Sequence, residues 1–154
     1  MIQAFYEASY ALSAARRVRR GPASKDSSLV FSAENKRVLI ADDNRDWADG
    51  LAILLADQGF SVRAAYDGRD AIEAAREFQP HVVILDVWMP RMSGFEAGRI
   101  FRGHPSGTRP LMIALTGWPE ESGRTRAEEV GFDYYLGKSA DSAELLGLLK
   151  RLWP

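Results

Sequence analysis

From Lys36 onward, short β-branched apolar runs alternate with longer segments whose apolar positions recur every three or four residues, the pattern of βαβ units on a parallel sheet. Val38-Leu39-Ile40-Ala41 predicts the first strand. Asn44 is read as the N-cap of a helix from Arg45 to about Gln58, with Trp47, Leu51, Leu54 and Leu55 facing the sheet and Gly59 as the stop. Phe60 to Ala65 predicts the second strand, Asp67-Gly68 a turn, and Arg69 to Phe78 a second helix ended before Pro80. The third strand, His81-Val82-Val83-Ile84-Leu85-Asp86, is apolar until it closes on a single carboxylate, after which Pro90 and Gly94 turn the chain. A third helix from about Phe95 to Arg102 contains Gly98, which weakens it by about 1 kcal/mol relative to Ala. Leu111 to Leu115 predicts a fourth strand ending at Thr116, and Pro119 to Val130 a helix anchored only by Ala127 and Val130, hence loosely held. Asp133 to Leu136 is the fifth strand, ending at Gly137-Lys138. The last helix carries an Asp141 and Glu144 pair resembling a capping box and a stripe of Leu145, Leu148, Leu149 and Leu152.

The first 35 residues follow a different pattern. Ile2, Phe5, Tyr6 and Leu12 have loosely helical spacing, Arg16, Arg17, Arg19 and Arg20 follow, and Gly21-Pro22 and a Ser-rich stretch close the segment. This predicts a short helix and a linker over residues 1–35, ahead of a domain over 36–154. Its role is either that of a frayed extension or that of a docking or dimerising helix.

Composition narrows the classes. The 154 residues are 46% hydrophobic and 27% charged, which suits one globular domain plus an extension. Lys+Arg 20 against Asp+Glu 21 gives a net charge of -1, so nothing global argues for nucleic acid or an anionic membrane as partner. The absence of Cys excludes disulfides, thiol catalysis and thiolate metal sites. His81 and His104 are read as a strand-start and a loop residue with no ligand role, leaving oxygen as the ligand for any metal. No apolar run approaches the roughly 20 residues of a membrane span, and no secretory signal opens the sequence; a cytoplasmic location is expected.

If the strands are all parallel, their C-terminal ends share one edge, and Asp42, Asp43, Asp86, Thr116 and Lys138 come together there. Crowded carboxylates either raise one pKa or bind a cation, and an all-oxygen set favours Mg²⁺. With Lys138 and the metal offsetting charge on an incoming phosphoryl group, Asp86 can supply the attacking oxygen and Thr116 a hydrogen bond, giving an aspartyl phosphate. Simpler readings stand beside these: Asp86 as a cap, Asp42 and Asp43 as caps of the first helix, Thr116 as a turn hydroxyl and Lys138 as a surface lysine.

These residues in this order, Asp42-Asp43, Asp86-Val87-Trp88-Met89-Pro90 with Gly94, Thr116, and Tyr135 with Lys138, together with Asp67-Gly68 and Gly131-Phe132-Asp133, resemble a response-regulator receiver domain from about Lys36 to the end. The resemblance implies a flavodoxin-like, doubly wound α/β fold with a five-stranded parallel sheet in 2-1-3-4-5 order and helices on both faces. It implies Asp86 as the phosphorylation site, with Mg²⁺ bound by Asp43, Asp86 and the backbone carbonyl of Trp88, and with Asp42 acting through a metal-bound water. Lys138 would pair with the phosphoryl group. Thr116 would move to hydrogen-bond it, leaving space for the Tyr135 ring to turn, a population shift between two packings. The implied partners are a histidine kinase or histidine phosphotransfer protein and a downstream protein that meets the fourth helix, fifth strand and fifth helix. A homodimer is left open.

Two departures from the family pattern matter. Ser139 follows Lys138 where the family has Pro, and the residues two beyond the aspartate and two beyond the threonine, which flank the hydrolytic water in the family, are Trp88 and Trp118. These rings are expected to screen that water and lengthen the life of the phosphate. A receiver-like interaction module that is never phosphorylated is the alternative. An aspartate-nucleophile phosphatase is less favoured because Trp88 stands where such enzymes carry a second acid, and Ala41-Asp42-Asp43-Asn44 lacks the Gly-rich turn of a nucleotide-binding fold. No residues follow the last helix to form an effector domain, so output is expected through protein contact or another polypeptide.

Overall fold

The computed structural model describes residues 36–103, 109–117, 121–138 and 142–153, together with the backbone of Arg16 and Arg17. Six strands form one sheet: β1 (Arg16–Arg17), β2 (Arg37–Ala41), β3 (Ser61–Ala65), β4 (Val82–Asp86), β5 (Leu111–Thr116) and β6 (Tyr134–Gly137), in the order β1-β6-β5-β4-β2-β3. Five of these, β2 to β6, run parallel, and counted alone they have the expected 2-1-3-4-5 order. The helices are α1 (Arg45–Asp57), α2 (Gly68–Phe78), α3 (Gly94–Gly103), α4 (Glu121–Val130) and α5 (Ser142–Leu152).

The central strands read as unbroken apolar runs because both their faces are covered. Val38, Ile40, Ile84, Ile113 and Leu115 point to the side lined by Leu51 and Leu55 of α1 and Leu145, Leu148 and Leu149 of α5. Their neighbours Leu39, Val83, Leu85, Met112 and Ala114 point to the side covered by α2, α3 and α4. Register is fixed by this alternation, since a slip of one residue would exchange the two faces. Trp153 lengthens the α5 stripe beyond the leucines, its ring edge-on to Phe60 at 5.6 Å.

Local chemistry sets the helix starts. Asn44 Oδ1 accepts from the Trp47 N–H at 3.1 Å, as expected of the cap of α1, and Gly59 with φ +91 ends that segment. Asp67, read from the sequence as part of a turn, is instead the N-cap of α2 and accepts from the Asp70 N–H at 2.9 Å. A reciprocal capping box starts α3: Ser93 N–H donates to Glu96 Oε2 at 2.7 Å and Glu96 N–H to Ser93 Oγ at 3.2 Å. The first turn of α4 is exposed at Glu121 and Ser122, and only Ala127 and Val130 of that helix are buried.

Arg16 and Arg17 differ from expectation. They form a strand antiparallel to β6, paired with Tyr135 and Tyr134, where helical spacing had been followed up to Arg20. The open edge of β6 offers backbone partners that a helix could not use. The remainder of the expected N-terminal helix lies outside the described residues, as do His104 and Asp141.

Gly98, a weak point by helix propensity, is required by packing, because a Cβ there would lie 2.7 Å from the Phe132 ring. Gly94 is tighter still: a Cβ would fall 2.1 Å from the carbonyl oxygen of Asp86 and 2.9 Å from Cα of Val87, backbone atoms that have little room to move. Gly94→Ala is therefore expected to destabilise the fold by about 2–4 kcal/mol, while Gly103→Ala, where a Cβ meets nothing within 4 Å, has little effect; urea denaturation of both variants checks this.

Candidate functional site

The C-terminal ends of the parallel strands converge on one edge. Asp42 follows β2, Asp86 ends β4, Thr116 ends β5 and Lys138 follows β6. Asp42, Asp86 and Thr116 are buried while Asp43 is exposed. One carboxylate oxygen from each of Asp42, Asp43 and Asp86 lies within 4.8 Å of the others. The five residues placed together by the strand-end argument are thus located on one sheet edge, with Asp42, Asp86 and Lys138 in direct contact.

Backbone and ammonium hold the carboxylates in place. Asp42 Oδ1 accepts from the Asn44 N–H at 2.9 Å, and Asp86 Oδ1 from the Trp88 N–H at 3.2 Å. Lys138 Nζ lies 3.1 Å from Asp86 Oδ2 and 2.6 Å from Asp42 Oδ2. The Lys138 ammonium is thus the partner of the otherwise unpaired, buried Asp42 Oδ2. Nζ also stands 5.3 Å from the centroid of the Trp47 ring, whose face favours a cation. Burial alone would lower the Lys138 pKa, but contact with Asp42 and Asp86 outweighs it and the net direction is upward. Lys138 therefore stays charged at neutral pH.

Asp86 moves the other way from an ordinary carboxylate. Burial first, and then repulsion from Asp42, push its pKa up to about 6 against the opposing attraction of Lys138. A hard cation among these acids would relieve the repulsion that Lys138 leaves uncompensated. The donor set, three carboxylates, has the oxygen chemistry that Mg²⁺ requires.

Tyr135 is buried in the core with Ala114, Ala127 and Val130. Its hydroxyl occupies the space over Gly123, where a Cβ would sit 2.3 Å away, and the Arg124 guanidinium lies 5.8 Å from its ring centroid. Trp88 is 65% exposed. Trp118 and Ser139 lie outside the described residues. Sequence reasoning assigned Trp47 only to helix packing and missed its place under Lys138; a contact between residues so far apart leaves no local signal.

Comparison with known proteins agrees with this geometry. A family model, the response regulator receiver domain, matches residues 38–150. An uncharacterized 14.6 kDa protein of Leptolyngbya boryana is 36% identical over 115 residues, covering 74% of this chain and 87% of its own length. The transcriptional regulatory protein GltR of Pseudomonas aeruginosa is 35% identical over 122 residues, 79% of this chain and 50% of that protein. The chain thus spans about half the length of that regulator. Among solved structures, the chemotaxis protein CheY4 of Vibrio cholerae superposes with a TM-score of 0.69 at 29% identity, covering 77% of this chain and 98% of the other. A response regulator of Chloroflexus aurantiacus gives a TM-score of 0.71 at 28% identity with the same coverage. The chain belongs to the response regulator receiver domain family, and its role is that of a two-component signalling module built around a phosphoacceptor site. No helix among the described residues is long and apolar enough to cross a membrane.

The raised Asp86 pKa has a measurable sign. An acid whose pKa is higher folded than unfolded contributes stability that is fully present below about pH 4 and is lost as pH rises through about 6. Removing that charge should therefore help only at the upper end. In the metal-free protein, Asp86→Asn is expected to raise unfolding free energy by about 1–3 kcal/mol at pH 7, a gain that disappears near pH 4; urea titrations at the two pH values measure it.

Proposed function

We propose that the protein accepts a phosphoryl group on Asp86 from a phosphohistidine of a kinase or phosphotransfer protein, and that the modification changes its affinity for a downstream protein. The observation that carries this reading is the buried Asp86 carboxylate with Lys138 Nζ 3.1 Å away and two further acids beside it. An Asp86 oxygen attacks phosphorus as the bond to the donor imidazole nitrogen breaks, and the imidazole leaves with the electron pair. Lys138 follows the negative charge from the carboxylate to the phosphoryl oxygens, and the Thr116 hydroxyl donates to one of them. Asp43, Asp86 and the Trp88 carbonyl would hold Mg²⁺, with Asp42 contributing indirectly. When bound, the ion supplies charge compensation to the phosphoryl oxygens.

Movement of Thr116 toward the phosphate would leave space into which the Tyr135 ring can turn, away from its place over Gly123. Because α4 buries only Ala127 and Val130, it can shift at small cost, and the face of α4, β6 and α5 carries the change to the partner. The module assists its own phosphorylation and dephosphorylation and is not a turnover enzyme. It works in the cytoplasm, where phosphohistidine donors and ATP are found.

Incubation with acetyl phosphate and Mg²⁺, followed by intact mass measurement, is expected to add one phosphoryl group to the wild type and none to Asp86→Asn. Persistent labelling of the variant would displace the site from Asp86, and no labelling of the wild type would favour a module that works unphosphorylated. A chase of the labelled protein tests the tryptophan rim. Trp88→Asn and Trp118→Ala should each shorten the phosphate half-life severalfold if those rings screen the hydrolytic water, and unchanged decay in both would show that they do not.

A further inference from the structure

The loop after β4 carries a strained residue that the phosphoacceptor reading does not use. Arg91 has φ +66, one of two non-glycine residues with positive φ among those described. The Met92 N–H donates to the Pro90 carbonyl at 2.8 Å, closing a three-residue turn centred on Arg91. Turns of this kind with a left-handed centre are rare and persist only where their surroundings hold them.

Two contacts hold this one, and both lead to the start of α2. The Arg91 guanidinium bonds Asp67 Oδ2 at 2.5 Å. The Arg91 side chain is 74% exposed, whereas Asp67 is only 8% exposed. Met92 packs on Gly68 so closely that a Cβ there would lie 2.8 Å from its Cγ. Asp67 is anchored in turn, because its other oxygen caps α2 through the Asp70 N–H. Its pKa is lowered, first by that backbone bond and also by Arg91, so it stays ionised as a partner for the guanidinium.

The segment clamped in this way runs from Val87 to Ser93, and its Trp88 N–H faces the site. The Trp88 N–H orients Asp86 Oδ1, and its carbonyl is the backbone ligand in the reading above. We propose that Arg91 is a positioning residue: by clamping the β4–α3 loop to Asp67 at the N-terminus of α2, it presets the Trp88 peptide and so tunes the affinity of the Asp86 site for Mg²⁺. This rests on the assignment of the metal to that site. Neither residue is among the ligands of that reading, and the pair would act on the site through four residues of backbone from Trp88 to Arg91.

The test is Mg²⁺ titration of the phosphate-free protein followed by tryptophan fluorescence, with melting temperatures measured alongside. Arg91→Ala should weaken Mg²⁺ binding roughly three- to tenfold, between the contribution of an exposed ion pair and that of an outer partner of a metal ligand. Its melting temperature without metal should change little. Asp67→Asn, which keeps an acceptor for the Asp70 N–H and loses the charge, should match it, and the double variant should be no weaker than either single one. Arg91→Lys should recover part of the affinity. Arg91→Gly, which relieves the positive φ, should bind as weakly as Arg91→Ala; wild-type affinity in this variant would mean that backbone strain and not the ion pair matters, and would overturn the proposal. Unchanged binding in Arg91→Ala, or additive losses in the double variant, would overturn it too while leaving the phosphoacceptor reading intact. A wild type that binds no Mg²⁺ would remove both.

Discussion

Two buried carboxylates at the ends of neighbouring strands cannot both be charged without compensation, and Lys138 supplies most of it. Its ammonium lies 2.6 Å from Asp42 and 3.1 Å from Asp86, yet Asp86 is still pushed up to about 6. The site is therefore under-compensated in the form described. A group that brings positive charge, or that takes over the contact made by Lys138, is favoured electrostatically before any shape is considered. The rest of the fold serves to hold this imbalance in place: strands buried on both faces cannot slide to relieve it, and the Asn44 and Trp88 amides fix the two acids from behind.

Rigidity is unevenly distributed. The sheet, α1 and α5 are packed through continuous apolar stripes, and the β4–α3 loop is tied down by Gly94, the Ser93–Glu96 capping box and Arg91. By contrast α4 meets the core with two small side chains, beside a tyrosine whose pose depends on a glycine in that same helix. In the proposed reading, a change at Asp86 therefore meets less resistance at α4 than in the sheet.

Most of this architecture was legible in the sequence. Val38–Ala41, Val82–Asp86 and Leu111–Thr116 announce themselves because a parallel strand covered on both sides needs apolar residues at every position. Once those strands are parallel, Asp42, Asp86, Thr116 and Lys138 must share an edge. The capping role of Asn44 and the sparse anchoring of α4 were equally readable, being local. Asp67 was read as part of a turn because Asp-Gly is ambiguous between a turn and a cap, and only the geometry of its bond to Asp70 decides. Gly98 looked like a defect because propensity is blind to Phe132 across the interface. The pairing of Arg16 and Arg17 with β6, the Trp47 ring beside Lys138 and the Arg91–Asp67 bond all join residues distant in sequence, and periodicity carries no information about them.

The strand at Arg16–Arg17 has a consequence for the protein in a crowded solution. A parallel sheet of this kind ends in two open ladders of backbone donors and acceptors, each of which can recruit a strand from another chain. At β6 the ladder is met from within by β1. At the opposite margin β3 is short and presents Ser61 and Arg63 to water, polar and charged side chains of the sort that discourage further pairing. Further strand addition is thereby discouraged at both margins, by pairing along part of β6 at one and by polar and charged side chains on β3 at the other.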